Sequence, residues 1–201
     1  MKNQISLKSI LPQSLCIVGT LFFLTACTEK NTIDTKEVAK QENNAKLDAK
    51  KQEILVVDKD AKFLVNAAEI QLEEISLGKL AQQKGTSLHV KELGRMMEDD
   101  HSKTLSEIQK LAQSKYVSIP SSITEDSKDA YDKLNDKTGK DFDKAYSTMM
   151  VKLHKSTIDL FEKASTDSED LEIRTWASEK IPAIKSHLRH AEECKKKCDK
   201  L

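Results

Sequence analysis

Four stretches of this chain repeat an apolar residue every three or four positions, the spacing of one face of an α-helix. The first stripe is Phe63, Ala67, Ile70, Glu74, Leu77 and Ala81, and the second is Val90, Gly94, Met97, His101, Leu105, Ile108 and Ala112. Phe142, Tyr146, Met149, Leu153, Leu160 and Ala164 form the third; Ile173, Ala177, Ile181, Ile184, Leu188 and Ala191 form the fourth. Helices that are apolar on one side only bury those sides best against one another, which predicts an all-α four-helix bundle. A sheet would want β-branched and aromatic residues in alternation, and only 4% of the chain is aromatic while 33% is charged. Asp60 is placed to cap the first helix, which ends near Lys84-Gly85, and Ser87 to cap the second, which runs to about Tyr116. Residues 117 to 139 hold Pro120, a Ser/Thr cluster and a short amphipathic piece around Ala130, Tyr131 and Leu134, so they read as a long connection between helices two and three. The fourth helix begins after Thr166-Asp167-Ser168, and Pro182 inside its stripe predicts a kink.

Two stripes carry polar residues where packing wants apolar ones: Glu74 in the first and His101 in the second. His154 flanks the third stripe, on the face of Asp143, Tyr146, Met150 and Phe161, and His187 flanks the fourth beside Ile184 and Ala191. A buried carboxylate or imidazole costs several kcal/mol unless it is paired, hydrogen-bonded or bound to a metal. Each helix advances ~1.5 Å per residue, so the levels of these four groups can be compared. If the long connection carries the chain back along the bundle, all four fall within ~6 Å of one level; a plain up-down-up-down path separates His187 by roughly a third of the bundle. Convergence therefore favours a ferritin-like crossover. Two readings of the cluster stand side by side. In one, Glu74, His101, His154 and His187 hold a metal ion, iron, zinc or copper, with Asp100, Asp143 and Tyr146 behind them. In the other, the same groups form a polar cluster that locks helix register.

Residues 1–26 read as an export signal: Lys2 and Lys8 precede an uncharged apolar run that ends at Leu24-Thr25-Ala26-Cys27. That ending resembles the lipobox of bacterial lipoprotein signals, in which the cysteine receives a diacylglyceride. The resemblance makes Cys27 a lipidation site and discards Cys16 with the signal. It also places the protein in the cell envelope, anchored to a membrane through its N-terminal lipid, by default at the outer membrane facing the periplasm. The apolar run is short for a spanning anchor, and Gln13, Ser14 and Thr20 interrupt it. From Thr28 to about Lys51 the chain is rich in Lys, Glu, Asn, Asp and Gln with almost no large apolar side chain, so residues 27–58 are read as a disordered tether, leaving 59–197 as the bundle domain.

The segment from Asp60 to Cys194 resembles a bacterial family called domain of unknown function 4142, often found in lipoproteins and grouped with ferritin-like folds. The matching stretches are EEISLGKLA around Glu74, MEDDH from Met97 to His101, Phe142-Asp143 with Tyr146 and His154, and IPAIKSH from Ile181 to His187. The resemblance implies a fold and a location rather than an activity. Against the ferritin di-iron pattern, Glu98 and His101 supply one Glu-x-x-His, but Ile184 stands three before His187, and the third helix offers His154 in place of a clear carboxylate.

His187, His190, Cys194 and Cys198 follow one edge of the fourth helix. Interleaved with Lys195, Lys196 and Lys197, they suggest a solvated helix end whose thiols are free or joined as an intrahelical Cys194–Cys198 disulfide, ahead of a zinc or copper site. His89 reads as a surface residue. Equal numbers of basic and acidic residues, 33 of each, give no basic excess for nucleic acid, and the five glycines form no phosphate loop. No Ser-His-Asp or nucleophile-elbow pattern appears. Two functions follow: a non-enzymatic cell-envelope lipoprotein acting as an interaction or stress-related module with an unidentified protein partner, or a ferritin-like metal-binding or redox protein.

Overall fold

Three of the helices begin where a side chain takes up the first free N–H groups. Ser87 accepts from the amide of His89 ahead of Leu88–Ser114, Thr124 from that of Ser127 ahead of Glu125–Asn135, and Asp170 from those of Glu172 and Ile173 ahead of Leu171–Cys198. The computed structural model describes residues 34–49 and 58–200; the expected signal, Cys16 and Cys27 lie outside them. Six helices and no strand are found among the described residues: α1 (Thr35–Ala49), α2 (Asp58–Lys84), α3 (Leu88–Ser114), α4 (Glu125–Asn135), α5 (Gly139–Asp167) and α6 (Leu171–Cys198). None of these helices is long and apolar enough to cross a membrane.

The four long helices pack as two pairs, α2 against α3 and α5 against α6, with α2 beside α5 and α3 beside α6. Where α2 crosses α3 their backbones nearly touch: a Cβ on Gly78 would lie 2.6 Å from the carbonyl oxygen of Gly94, and one on Gly94 2.7 Å from that of Gly78. The interior has two apolar clusters. Leu77, Val90, Met97, Phe142, Tyr146 and Met150 belong to one; Phe63, Leu64, Ile108, Phe161, Ile173 and Ala177 belong to the other, where the Phe63 and Phe161 rings meet edge-on at 5.2 Å. The stripes read from the sequence are the buried faces in α2, α3 and α6. In α5 the buried line runs through Tyr146, Met150, His154 and Phe161, so His154 sits at its centre and not at its flank.

Two buried aspartates tie the pairs together. Asp143, early in α5, accepts from the amides of Thr86 (3.0 Å) and Ser87 (2.8 Å) and from the Thr86 hydroxyl (2.5 Å) in the α2–α3 turn. Asp60, early in α2, accepts from the amides of Glu169 (3.1 Å) and Asp170 (2.9 Å) in the α5–α6 turn. It is a tie across helices and not the N-cap expected of it, because α2 starts two residues earlier. α5 therefore starts level with the start of α3 and runs parallel to it. The connection returns along the helices by way of α4, whose last residue, Asn135, takes a hydrogen bond from Lys84 at the end of α2. α6 stays helical through Pro182, where Pro182 and Ser178 are both exposed and water can satisfy the carbonyl that proline leaves without a donor.

The expected tether needs a correction within the described residues, since Thr35–Ala49 is helix α1. Its hold is polar and leaves no apolar stripe in the sequence. Asn43 makes two bonds to the backbone of Ser118 (2.9 and 2.6 Å), Lys36 pairs with Glu69, and Ala39 is the buried apolar contact.

Gly94→Ala forces the α2–α3 crossing apart. We expect a net loss on the order of 1–2 kcal/mol in urea unfolding, an overpacking cost only partly offset by alanine's helix propensity. Asp143→Ala strands two amides and should cost about 2–4 kcal/mol in the same measurement. An unchanged midpoint would show that this tie contributes nothing.

Candidate metal centre

Between the two apolar clusters lies a polar layer with one ionisable side chain from each long helix: Glu74 of α2, His101 of α3, His154 of α5 and His187 of α6. All four are buried. The imidazole ring centres form a near-equilateral triangle with sides of 5.6, 5.2 and 5.5 Å, and one nitrogen from each ring lies within 4.8 Å of the other two. Glu74 reaches into the same space, its two oxygens 3.6 Å from His101 Nε2 and 3.6 Å from His154 Nδ1.

Hydrogen bonds on the outer side of each ring decide which nitrogen keeps its proton. Gln71 donates its amide nitrogen to the Ala67 carbonyl, which turns its oxygen toward His101 Nδ1 at 2.7 Å, so that nitrogen donates. His154 Nδ1 donates to the Met150 carbonyl at 2.9 Å. His187 Nε2 faces Asp100 Oδ2 at 3.3 Å, and Asp100 is in turn held by Lys103 at 2.9 Å. The remaining nitrogens, His101 Nε2, His154 Nε2 and His187 Nδ1, thus carry lone pairs. Among the described residues, six buried side-chain polar atoms have no hydrogen-bond partner: these three, both oxygens of Glu74, and the Tyr146 hydroxyl.

Burial holds the imidazoles in the neutral form that offers a lone pair. It drives His101 far below the ordinary histidine range, with the neighbouring His154 and His187 adding to the effect, lowers His154 to about 4, and lowers His187 against the pull of Asp100. Burial, and then the charge of Glu73, pushes Glu74 well above the usual carboxylate range. Partial burial of Asp100 works the other way, but hydrogen bonds from Lys103 and His187 hold its carboxyl below its usual range. An unpartnered buried polar group costs about 1–3 kcal/mol, so five such atoms at one level are a large standing penalty.

Three imidazole lone pairs and a carboxylate match the donor set of a transition-metal site. Ligands ~2.1 Å from one ion stand at most ~4.2 Å apart, so small ring movements suffice to gather these nitrogens. The outer bonds from Gln71, Met150 and Asp100 are those that orient metal-binding imidazoles. A register lock built from the same groups would hydrogen-bond them to one another. Here the Glu74 contacts, at 3.6 Å, are too long for that.

The other residues singled out in the sequence divide. Asp100 reaches the site through His187, and Tyr146 lies in the adjoining apolar cluster, its buried hydroxyl without a hydrogen-bond partner. Asp143 does not stand behind the histidines; it lies about three turns before His154 on α5 and is taken up by Thr86 and Ser87. The expected edge of His187, His190, Cys194 and Cys198 is also split, with His190 exposed and His187 in the polar layer. Cys194 and Cys198 are free thiols with sulfurs 4.0 Å apart, not a disulfide, and they are buried against α3 and α5 rather than on a solvated end. His89 is exposed, as expected. Sequence reasoning missed Gln71, although it lies on the face of Glu74, three residues before it; the Met150 carbonyl leaves no sequence signal at all.

A family model described as "Domain of unknown function (DUF4142)" matches residues 36–194. No curated protein and no solved structure matches the chain.

Because Glu74 has no partner, an apolar replacement should relieve the fold. Glu74→Leu in protein stripped of metal ions is expected to raise urea-unfolding stability by about 1–3 kcal/mol. A loss of stability would mean that a hydrogen bond holds Glu74 in the folded protein.

Proposed function

This chain belongs to the DUF4142 family, a membership that states no activity, and on the chemistry of the polar layer we propose that it is a ferritin-like metal-binding protein of the cell envelope. Glu74, His101, His154 and His187 hold one divalent transition-metal ion in the core of a four-helix bundle. The observation that carries this reading is the three buried histidines, each with one nitrogen lacking a hydrogen-bond partner and with donor nitrogens within 4.8 Å of one another, and the two unpartnered oxygens of Glu74 beside His101 and His154. An imidazole-rich set favours zinc, copper or iron over magnesium or calcium, which prefer oxygen ligands throughout.

A mononuclear centre fits better than the ferritin di-iron one. Glu98 would be the carboxylate of the Glu-x-x-His pair on α3, but it accepts from Gln82 at 2.6 Å and lies near Lys79, while α6 offers Ile184 in the matching place. Four protein ligands close a tetrahedral ion to substrate, which suits holding the ion or exchanging electrons rather than hydrolysis at an open position. Reading the protein as an interaction or stress-related module draws on no comparable observation. For location, the lipobox-like ending at Cys27 supports export and attachment by a lipid, with outer-membrane placement facing the periplasm as the default.

Protein purified without added ions should contain about one equivalent of iron, zinc or copper by elemental analysis, and a His101→Ala, His154→Ala variant should contain none. Removing the ion by chelation is expected to lower Tm by roughly 5–10 °C, a shift of the size that ligand linkage produces in a domain of this length. Gln71→Leu should weaken binding by about 10- to 100-fold while the four ligands stay in place. Protein that is metal-free as isolated, with a Tm unmoved by added zinc, copper or iron, would falsify the reading.

A further inference from the structure

The thiols of Cys194 and Cys198 take no part in the polar layer. They lie one turn apart on α6, both buried, with sulfurs 4.0 Å apart where a disulfide requires ~2.05 Å. Cys194 is nonetheless reachable. Cys194 lines a small surface pocket of about 140 Å³ between α3 and α6, shared with Met96, His89, His190 and Lys197. Met96 also packs against the apolar cluster that contains both cysteines.

We propose that Cys194 and Cys198, with the Met96 thioether as third donor, bind one Cu⁺ ion that enters through this pocket. Two sulfurs 4.0 Å apart, each ~2.3 Å from a shared ion, subtend roughly 120°, the angle of a three-coordinate site. Thiolate and thioether are the soft ligands that select monovalent copper. Zinc is disfavoured because it wants four ligands: among the described residues, no group of three His, Cys, Asp or Glu donors close enough to share an ion includes either cysteine. On binding, two S–H bonds break, three Cu–S bonds form, two from the thiolates and one from the Met96 thioether, and two protons leave to solvent, with no change of oxidation state. The dithiolate–Cu⁺ unit carries one negative charge, and Lys197 at the pocket lines up as its counter-charge. Burial, with Cys198 beside it, pushes the Cys194 thiol up to about 12, so only a cation with strong affinity for sulfur displaces its proton.

The test is an anaerobic titration of the full chain with Cu⁺ against bicinchoninate, a coloured Cu⁺ chelator. It uses a Cys16→Ser, Cys27→Ser background so that only these two thiols remain. The protein should withdraw one equivalent from the chelator and develop a near-ultraviolet sulfur-to-copper absorption. Cys194→Ser and Cys198→Ser should each weaken binding at least 100-fold, and Met96→Leu, which preserves side-chain volume on the pocket rim, about 10-fold. A His101→Ala, His154→Ala variant should bind Cu⁺ as tightly as its parent, which separates this site from the polar layer. The proposal is overturned if the chelator keeps all the copper, or if the serine variants, folded by circular dichroism, compete as well as their parent. Should loss of a buried sulfur unfold the protein, an unchanged affinity in Met96→Leu overturns the three-coordinate site on its own.

Discussion

The organising constraint of this molecule is a layer of neutral imidazoles and a buried carboxylate between two apolar clusters. Each ring has one nitrogen committed to a protein oxygen, from Gln71, Met150 or Asp100, and the other left with a lone pair inside. Such a layer opposes folding, because water no longer solvates these atoms and nothing in the protein replaces it. The fold keeps it by packing apolar side chains on both sides, so the layer is bounded rather than spread through the core. Buried ionisable groups with strongly shifted pKa values cluster at functional sites more often than elsewhere.

Gathering four side chains from four helices at one depth requires that the helices be fixed in register, and the fixing is done at the ends and at one crossing. Asp143 and Asp60 each lock an early turn of one helix to the turn joining the opposite pair. Lys115 adds a third tie, pairing with Asp170 at 2.7 Å and Glu172 at 2.8 Å to hold the end of α3 to the start of α6. The Gly78–Gly94 contact sets the α2–α3 distance, since no side chain separates the backbones there. These contacts lie away from the candidate ligands, yet a slip of one residue at any of them would move a ligand by ~1.5 Å along its helix and turn it by ~100°.

Two sites of different softness on one module would divide metals by chemistry. The polar layer offers imidazole and carboxylate, suited to borderline divalent ions, while the α6 thiols offer sulfur to a monovalent one. The two differ in access as well. The polar layer is enclosed by the four long helices, whereas Cys194 opens to a surface pocket. Tyr146 lies in the apolar cluster that also holds Cys194, with a buried hydroxyl that has no hydrogen-bond partner.

Periodicity in the sequence was enough to specify four long helices, their buried faces in α2, α3 and α6, and the identity of Glu74, His101, His154 and His187 as groups that packing alone does not explain. These are local properties: a 3.6-residue repeat is written in consecutive residues, and a charge on an apolar stripe stands out against it. In the sequence the crossover follows only from placing those groups at one level; the ties of Asp143 and Lys84 supply its physical cause. α1 was illegible because its hold is polar, through Asn43 and Ser118, which lie far apart in the chain. For the same reason the sequence could not distinguish Asp100, which meets His187, from Asp143, which closes a turn. Which ring nitrogen keeps its proton, how far apart the cysteine sulfurs sit, and where a carboxylate finds its donors depend on distances between separate helices, and tertiary packing alone decides them.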